Sequence, residues 1–354
     1  MIELSLVIPT RERSDALCGL LRALCDQTLD ARRFEVLVVD NGTRGEMRHL
    51  PAGLQGRPGG LRSVHEPEVG LHCARHRGWR EAQASVLVFA DDDIEPEPTW
   101  LESVLGAFAD PGTMLAGGPV RPRFAADPPL AVADMWRPDR RGRRMLGHLS
   151  ILDLGQRAGR IAPDLVWGCN FGVRREVLEQ CEGFHPDGFP GDRAMLRGDG
   201  ETWVSDWVAA TGGVAVYVPG ASVRHVIPAG RLSVSYLRER SWRQGVSDSF
   251  TLARHRLVPD RPCPRAGQLR RELVLKRIYT ALPWRSRPQR VRRALFRASL
   301  RGYRHHAQCV QSEPGLRAWV SRCNYLDAAT PQAAWCRGPV AEAGERAIQA
   351  GSNL

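Results

Sequence analysis

The chain has 354 residues, 43% of them hydrophobic, and a formal net charge of +11. That length can bury one large core plus an appended region. No run of about 18 or more apolar residues and no basic-then-apolar leader is visible, which argues against a membrane span and a secretory signal. Nine cysteines, an odd number with no Cys-x-x-Cys pair, point to reduced thiols in a cytoplasmic setting and away from a structural zinc site.

Leu4 to Ile8 reads as a buried strand ending at Pro9-Thr10. Ser14 to about Thr28 carries Leu17, Leu20, Leu21 and Leu24 at helical spacing, with Ser14 as the expected N-cap. Phe34 to Val39 is a second strand, ending in Asp40 and the turn pair Asn41-Gly42. Gly70 to Ala84 reads as a crossover helix, and Val86 to Ala90 as a third strand leading directly into Asp91-Asp92-Asp93. This βαβ succession predicts an open parallel sheet, whose ligand crevice lies outside the carboxyl ends of the strands. Three adjacent carboxylates repel and raise one another's pKa, so a fold tolerates them where a cation or solvent neutralises them. In an extended turn alternate side chains share a side, so Asp91 and Asp93 are expected to converge while Asp92 points elsewhere. The competing reading is a solvated acidic turn.

Residues 121–165, rich in Arg and Pro around Arg137 to Arg144, read as a long insertion, either a functional lid or acceptor-selecting loop or disordered. From Glu201 a short helix is expected, with Val204, Trp207, Val208 and Thr211 on one face and an end at Gly212-Gly213. Glu201 then lies in its first turn, near the positive end of the helix dipole. A strand from Val214 to Val218 and the turn Pro219-Gly220 precede His225. A helix beginning near Leu232 brings Arg238, Arg240, Arg243 and Gln244 before Gly245. Residues 261–305 then hold fourteen Lys or Arg against one acid, Glu272, a local balance of +13. Leu273, Leu275, Ile278, Tyr279, Trp284, Leu295 and Phe296 are interleaved. Amphipathic helices facing anionic lipid or a phosphorylated acceptor are one reading. Nucleic acid, which we disfavour, and a solvated surface are the others.

Four segments in order, Val7 to Thr10, Val38 to Gly42, Gly70 to Gly78 and Phe89 to Pro96, together with 168–175, 182–184, 198–202 and 219–225, resemble family 2 glycosyltransferases. The likeness covers roughly residues 1–230. It implies a GT-A type, Rossmann-like α/β fold with a mixed, mostly parallel sheet flanked by helices, followed here by a basic, mainly helical C-terminal region. It further implies a glycosyltransferase domain over 1–230, with a nucleotide-binding half (1–118) and an acceptor half (119–230) sharing one sheet, ahead of the helical region 231–354.

The same resemblance gives the site residues. It implies that Asp91 meets the ribose, that Asp93 holds a divalent metal (Mn²⁺ or Mg²⁺) with Asp91 and His225 as further metal candidates, and that Asp92 supports them. Asp40 would read the nucleobase imide edge, with Pro9 and Thr10 beside it, and the alternative for Asp40 is a plain turn. Arg75 would contact base or diphosphate through its planar fork. On the acceptor side stand Asn170 and Trp167, whose ring either stacks on a sugar or fills the core. The acceptor hydroxyl needs a base, and Glu201 is the first choice and Asp199 the second, where the family commonly has Glu-Asp and this chain has Glu201-Thr202. An acidic N-cap would account for only one of those two carboxylates.

The expected activity is transfer of a sugar from a nucleoside-diphosphate donor to an acceptor hydroxyl by metal-assisted single displacement with inversion. The acceptor class, whether glycan, lipid-linked or small molecule, stays open. The alternatives are a sugar nucleotidyltransferase, which would be expected to show a glycine-rich loop where Pro9 to Arg13 stands, or a non-catalytic nucleotide-sugar-binding protein on the same fold. The expected location is cytoplasmic, with room for peripheral contact at an inner membrane surface.

Overall fold

The computed structural model describes residues 1–42, 60–284 and 286–336. The chain divides into two compact units, Met1–Phe184 with Glu201–Ser233, and His185–Gly200 with the residues from Val234 onward. Segment 185–200 therefore belongs with the helical region, a division that a single cut near residue 230 did not anticipate. The reason is visible in its apolar residues: Phe189, Ala194, Met195 and Leu196 share a buried core with Trp242, Phe250 and Trp319.

In the first unit, β1 (Leu4–Thr10), α1 (Ser14–Ala23) and β2 (Phe34–Asp40) come first, followed by β3 (Arg62–His65), α2 (Leu71–Glu81) and β4 (Val86–Phe89). Every residue of β1, β2 and β4 is buried, as central strands covered on both faces require. Then come β5 (Ile94–Pro96), α3 (Trp100–Ala107), β6 (Thr113–Gly117), β7 (Val120–Phe124), α4 (Leu130–Met135), β8 (Arg144–Leu146), β9 (Ile151–Asp153) and β10 (Gly159–Ile161). The unit closes with β11 (Phe171–Arg174), α5 (Arg175–Cys181), α6 (Thr202–Ala210), β12 (Val214–Tyr217) and β13 (Val223–Ile227).

The main sheet runs β10-β12-β6-β11-β4-β1-β2-β3. Strands β4, β1, β2 and β3 are mutually parallel, and β11 enters antiparallel between β4 and β6. This is the mixed, largely parallel α/β sheet expected. It is not the only sheet: β5-β13-β7-β9-β8 form a second one, so the acceptor half does not simply extend the first. The 121–165 stretch is likewise no structureless insertion. Its short strands supply three members of the second sheet's edge and, through β10, one edge of the main sheet. Arg and Pro hide these strands in the sequence, but Leu146, Leu149, Ile151 and Leu152 are each at most 5% exposed and anchor them. At α1, Ser14 is the first helical residue rather than the cap, and Arg13 stands at the N-cap position without a side-chain capping bond.

The second unit is helical: α7 (Val234–Leu257), α8 (Ala266–Ala281), α9 (Arg287–Ser312) and α10 (Pro314–Val320). Helices α7 and α9 pack backbone to backbone. A Cβ on Gly245 would strike the Ser299 carbonyl, and one on Gly302 would strike the Trp242 carbonyl. The chain's one lysine, Lys276 of α8, joins three of these four helices, with Nζ 3.1 Å from Asp248 Oδ2 of α7 and 3.1 Å from Ser299 Oγ of α9. Ser286 and Gln289 form a capping box at the start of α9. Because backbone atoms cannot yield as flexible side chains do, Gly245→Ala and Gly302→Ala should each lower unfolding stability by about 1–3 kcal/mol or more. Urea titration checks this, and unchanged midpoints would contradict the close packing.

Candidate active site

Register brings the strand ends together. Thr10 pairs with Asp40 across β1 and β2, Val7 with Phe89 across β1 and β4, and the Ala90 N–H donates to the Val7 carbonyl at 3.1 Å. The acidic turn therefore emerges beside Pro9 and Thr10. Thr10 Oγ1 donates to Asp92 Oδ2 at 2.6 Å, and Arg13 Nη2 lies 3.1 Å from Asp92 Oδ1. Arg13 Nη1 also donates to Asp93 Oδ2 at 2.6 Å, an oxygen that Arg231 Nη1 approaches at 3.2 Å. Burial pushes the Asp92 carboxyl up to about 6, against Arg13 and the Thr10 hydrogen bond. Asp93 is held below the usual carboxylate range, its burial outweighed by His225, Arg13 and Arg231. Burial and then Asp93 raise Asp91, whose carboxylate makes no hydrogen bond or ion pair among the described residues.

His225 is buried in β13, and its Nδ1 lies 2.9 Å from the Leu149 carbonyl. A carbonyl only accepts, so Nδ1 carries a proton and donates it to Leu149. Nε2 is 3.3 Å from Asp93 Oδ1 and 3.3 Å from Arg231 Nη1. That separation is the edge of an octahedron with ligands at about 2.3 Å, a spacing that a divalent cation can take. Among the described residues no three His, Cys, Asp or Glu gather to hold a metal.

Asp40 is buried at the end of β2, and its Oδ1 accepts from the Gly42 N–H at 2.9 Å, the turn geometry of the alternative reading. Asn41, which sequence reasoning treated only as a turn residue, latches the next loop. Its Nδ2 donates to the Glu66 and Glu68 carbonyls, and its Oδ1 accepts from the Gly70 N–H at 2.9 Å.

On the other side, Arg75 of α2 is buried, its guanidinium 5.2 Å from the centre of the Phe184 ring. Its Nη1 donates to Glu201 Oε2 at 3.0 Å and its Nη2 to the Gly168 carbonyl at 3.4 Å, while Gly168 N donates to Glu201 Oε1 at 3.3 Å. A side chain at 168 would collide with Arg75 and lie 2.8 Å from Glu201 Oε1. Glu201 sits at the N-cap of α6 rather than inside its first turn. Asn170 is buried, accepting from Trp100 Nε1 at 2.9 Å and donating to the Ala221 carbonyl at 2.8 Å. Trp167 is half-buried, its indole N–H donating to the Asp164 carbonyl at 3.1 Å.

The chain matches Glycosyl transferase family 2 over residues 5–181, half of its length. It belongs to that family. Glycosyltransferase AglE of Haloferax volcanii is 30% identical over 117 residues, covering 33% of this chain and 38% of that protein. Validoxylamine A glucosyltransferase of Streptomyces hygroscopicus subsp. jinggangensis is 34% identical over 110 residues, 30% of this chain and 26% of that protein. Pre-mycofactocin glycosyltransferase of Mycobacterium tuberculosis is 28% identical over 162 residues, 46% of this chain and 30% of that protein. The matched part is therefore well under two-thirds of each relative's own length. Among solved structures, mannosyltransferase PcManGT from Pyrobaculum calidifontis in complex with GDP-Man and Mn²⁺ aligns at TM-score 0.47 and 16% identity, covering 92% of this chain and 85% of that one. S. aureus TarS 1-349 in complex with UDP-GlcNAc aligns at TM-score 0.46 and 12% identity, covering 88% and 92%.

Membership in a glycosyltransferase family counts against the sugar nucleotidyltransferase alternative. Arg13 and Arg231 are the residues that sequence reasoning missed. Arg13 closes the loop Pro9 to Arg13, and its signal is its place just after the first strand. Arg231, six residues beyond His225, carried no separable signal in a chain whose 50 basic residues include a single lysine.

Asp199, the second candidate for the base, lies in the second unit. Its Oδ1 is 2.6 Å from His185 Nδ1, and its Oδ2 accepts from Thr251 Oγ1 at 2.7 Å. Burial lowers His185 to about 4 despite Asp199, while His185, Arg265 and Thr251 together hold Asp199 low against its burial. A histidine whose folded pKa is depressed contributes stability that is present above about pH 6.5 and lost as pH falls towards 4. Urea midpoints should therefore fall between pH 6.5 and 4 in the wild type and fall less in His185→Gln. Parallel pH profiles would contradict a neutral buried His185.

Proposed function

We propose that this family 2 glycosyltransferase moves a sugar from a nucleoside-diphosphate donor to an acceptor hydroxyl by single displacement with inversion. The observation that carries the reading is the acidic turn Asp91 to Asp93, delivered by β4 beside Thr10 and facing His225, Arg13 and Arg231 within one unit.

In this reading Asp40 and Thr10 border the nucleobase, and Asp91, left without an ion pair, meets the ribose. Asp93 and His225 would hold a divalent cation, Mn²⁺ or Mg²⁺, which when bound supplies Lewis-acid stabilisation of the departing diphosphate. Asp92 keeps Thr10 and Arg13 in place. Arg13 and Arg231 are well suited to meet diphosphate oxygens, since a guanidinium fork matches them bidentately.

Glu201 is the proposed base. Arg75 and the Gly168 N–H fix its two oxygens, yet each carboxylate oxygen has a second lone pair with which to accept a proton. As the acceptor oxygen attacks the anomeric carbon, Glu201 takes the hydroxyl proton, and the carbon–oxygen bond to the diphosphate breaks with its electron pair leaving on the diphosphate. Retention through a covalent intermediate would need a nucleophile on the opposite face of the sugar, whereas direct displacement needs only one base beside the acceptor.

Glu201→Gln should keep the Arg75 contact and lower turnover by about 10²-fold or more while donor binding persists, the usual scale for losing a general base. An α-linked donor should give a β-linked product by NMR. Normal turnover in Glu201→Gln, or an α-linked product, would contradict the mechanism.

A further inference from the structure

Large apolar side chains that stand exposed are not scattered over the described residues. Of the eight, four fall within nine positions: Val274 at 51% exposed, Leu275 at 62%, Ile278 at 55% and Leu282 at 43%. The first three belong to α8 and the fourth directly follows it. At about 100° per residue these four cover one arc of about 100°, the width of the apolar stripe that a helix normally turns to a core. The core-facing side of α8 is a different one. Leu269 and Leu273 pack there with Leu252 and Leu300, and Lys276 is tied to Asp248 and Ser299. The helix therefore cannot roll its second apolar arc inward without breaking the first.

Basic side chains dominate around that arc, Glu272 being the one acid on α8. Arg270, Arg271 and Arg277 on α8, and Arg287 and Arg290 at the start of α9, are all exposed, and none has an ion pair among the described residues. Elsewhere on the surface arginines do find acids, as in Arg32–Asp30, Arg33–Glu3 and Arg143–Asp139. At the end of α8, Tyr279 and Trp284 stack with ring centres 4.2 Å apart, and the Trp284 N–H is already satisfied by the Tyr279 carbonyl at 2.7 Å. An amphipathic aromatic pair of this kind suits the boundary between headgroups and acyl chains.

We infer that α8 is a membrane-docking helix that lies flat on an anionic lipid surface, with Val274, Leu275, Ile278 and Leu282 entering the headgroup boundary and the flanking arginines meeting lipid phosphates. Interfacial helices bind through this combination of buried apolar area and attraction to anionic headgroups. Nucleic acid would engage the arginines and leave the apolar arc in water. A second copy meeting the same face about a twofold axis would set the arginine clusters against each other. No helix among the described residues is long and apolar enough to cross a membrane, so the attachment is peripheral.

The test is co-sedimentation of the full chain with phosphatidylcholine vesicles, with and without about 30% phosphatidylglycerol, at about 0.15 M salt. Two variants accompany the wild type: Leu275→Ser with Ile278→Ser, and Arg270→Gln with Arg271→Gln and Arg277→Gln. The wild type should partition onto anionic vesicles at least about tenfold more strongly than onto neutral ones, and each variant should lose about tenfold or more. Helicity and Tm should stay unchanged, since all five side chains are exposed. Failure of the wild type to bind, equal binding to both vesicle types, or undiminished binding by both variants would overturn the inference. So would a serine variant that only converts a dimer to a monomer in sedimentation velocity.

Discussion

Three carboxylates at the end of one buried strand are a cost that the rest of the first unit is built to meet. Strand β4 is covered on both faces, so the turn that follows it cannot spread into solvent, and Asp92 and Asp93 are almost fully buried. The fold answers with Arg13 from the segment after β1, Arg231 from the segment after β13, and His225 from β13 itself. Arg13 bridges two aspartates at once. Both guanidiniums meet the same Asp93 oxygen, while the other oxygen lies 3.3 Å from His225 Nε2. Buried charge clusters of this kind are poor devices for stability, because desolvation offsets most of the Coulomb gain. Their place at the carboxyl ends of parallel strands is where an α/β sheet binds its ligands.

The Arg75–Glu201 pair is a second constraint of the same type, and it dictates backbone. Arg75 is held by Phe184 on one side and the Gly168 carbonyl on the other, and Glu201 closes the loop by accepting from the Gly168 N–H. The close approach at Gly168 thus comes from side chains of α2 and of the start of α6, not from a turn. Nearby, Asn170 joins Trp100 of α3 to the Ala221 carbonyl, so the segment 167–170 is fixed from several directions. Such multiple anchoring is what a preoriented catalytic carboxylate needs.

Much of this was legible in the sequence, for identifiable reasons. The central strands announced themselves because both faces are buried and their apolar runs are unbroken. The acidic turn was legible because charge directly after such a run is rare. The second sheet was not, since its strands are only three to five residues long and several alternate arginine with apolar residues. Asp40 and Asn41 show the limit of motif reading: one makes the ordinary turn bond to Gly42, while the other latches residues 66–70 through contacts of 25 and more positions in sequence. Asp199 and Glu201, two residues apart, fall into different units, and only the three-dimensional neighbours of Gly200 reveal it. In the helical unit the capping box Ser286-x-x-Gln289 was open to reading, whereas the facing glycines of α7 and α9 have no meaning until the helices are placed.

If Asp93 and His225 form a cation site completed by a nucleoside diphosphate, nucleotide binding depends on the cation. Calorimetric titration of the full chain with UDP and with GDP, each with and without Mn²⁺, tests it most directly. At least one nucleotide should bind about tenfold or more tightly with the cation, a gain of about 1.4 kcal/mol, and Asp93→Asn should remove that gain while retaining the fold. Binding that is indifferent to the cation in the wild type, or an undiminished gain in Asp93→Asn, would contradict the account.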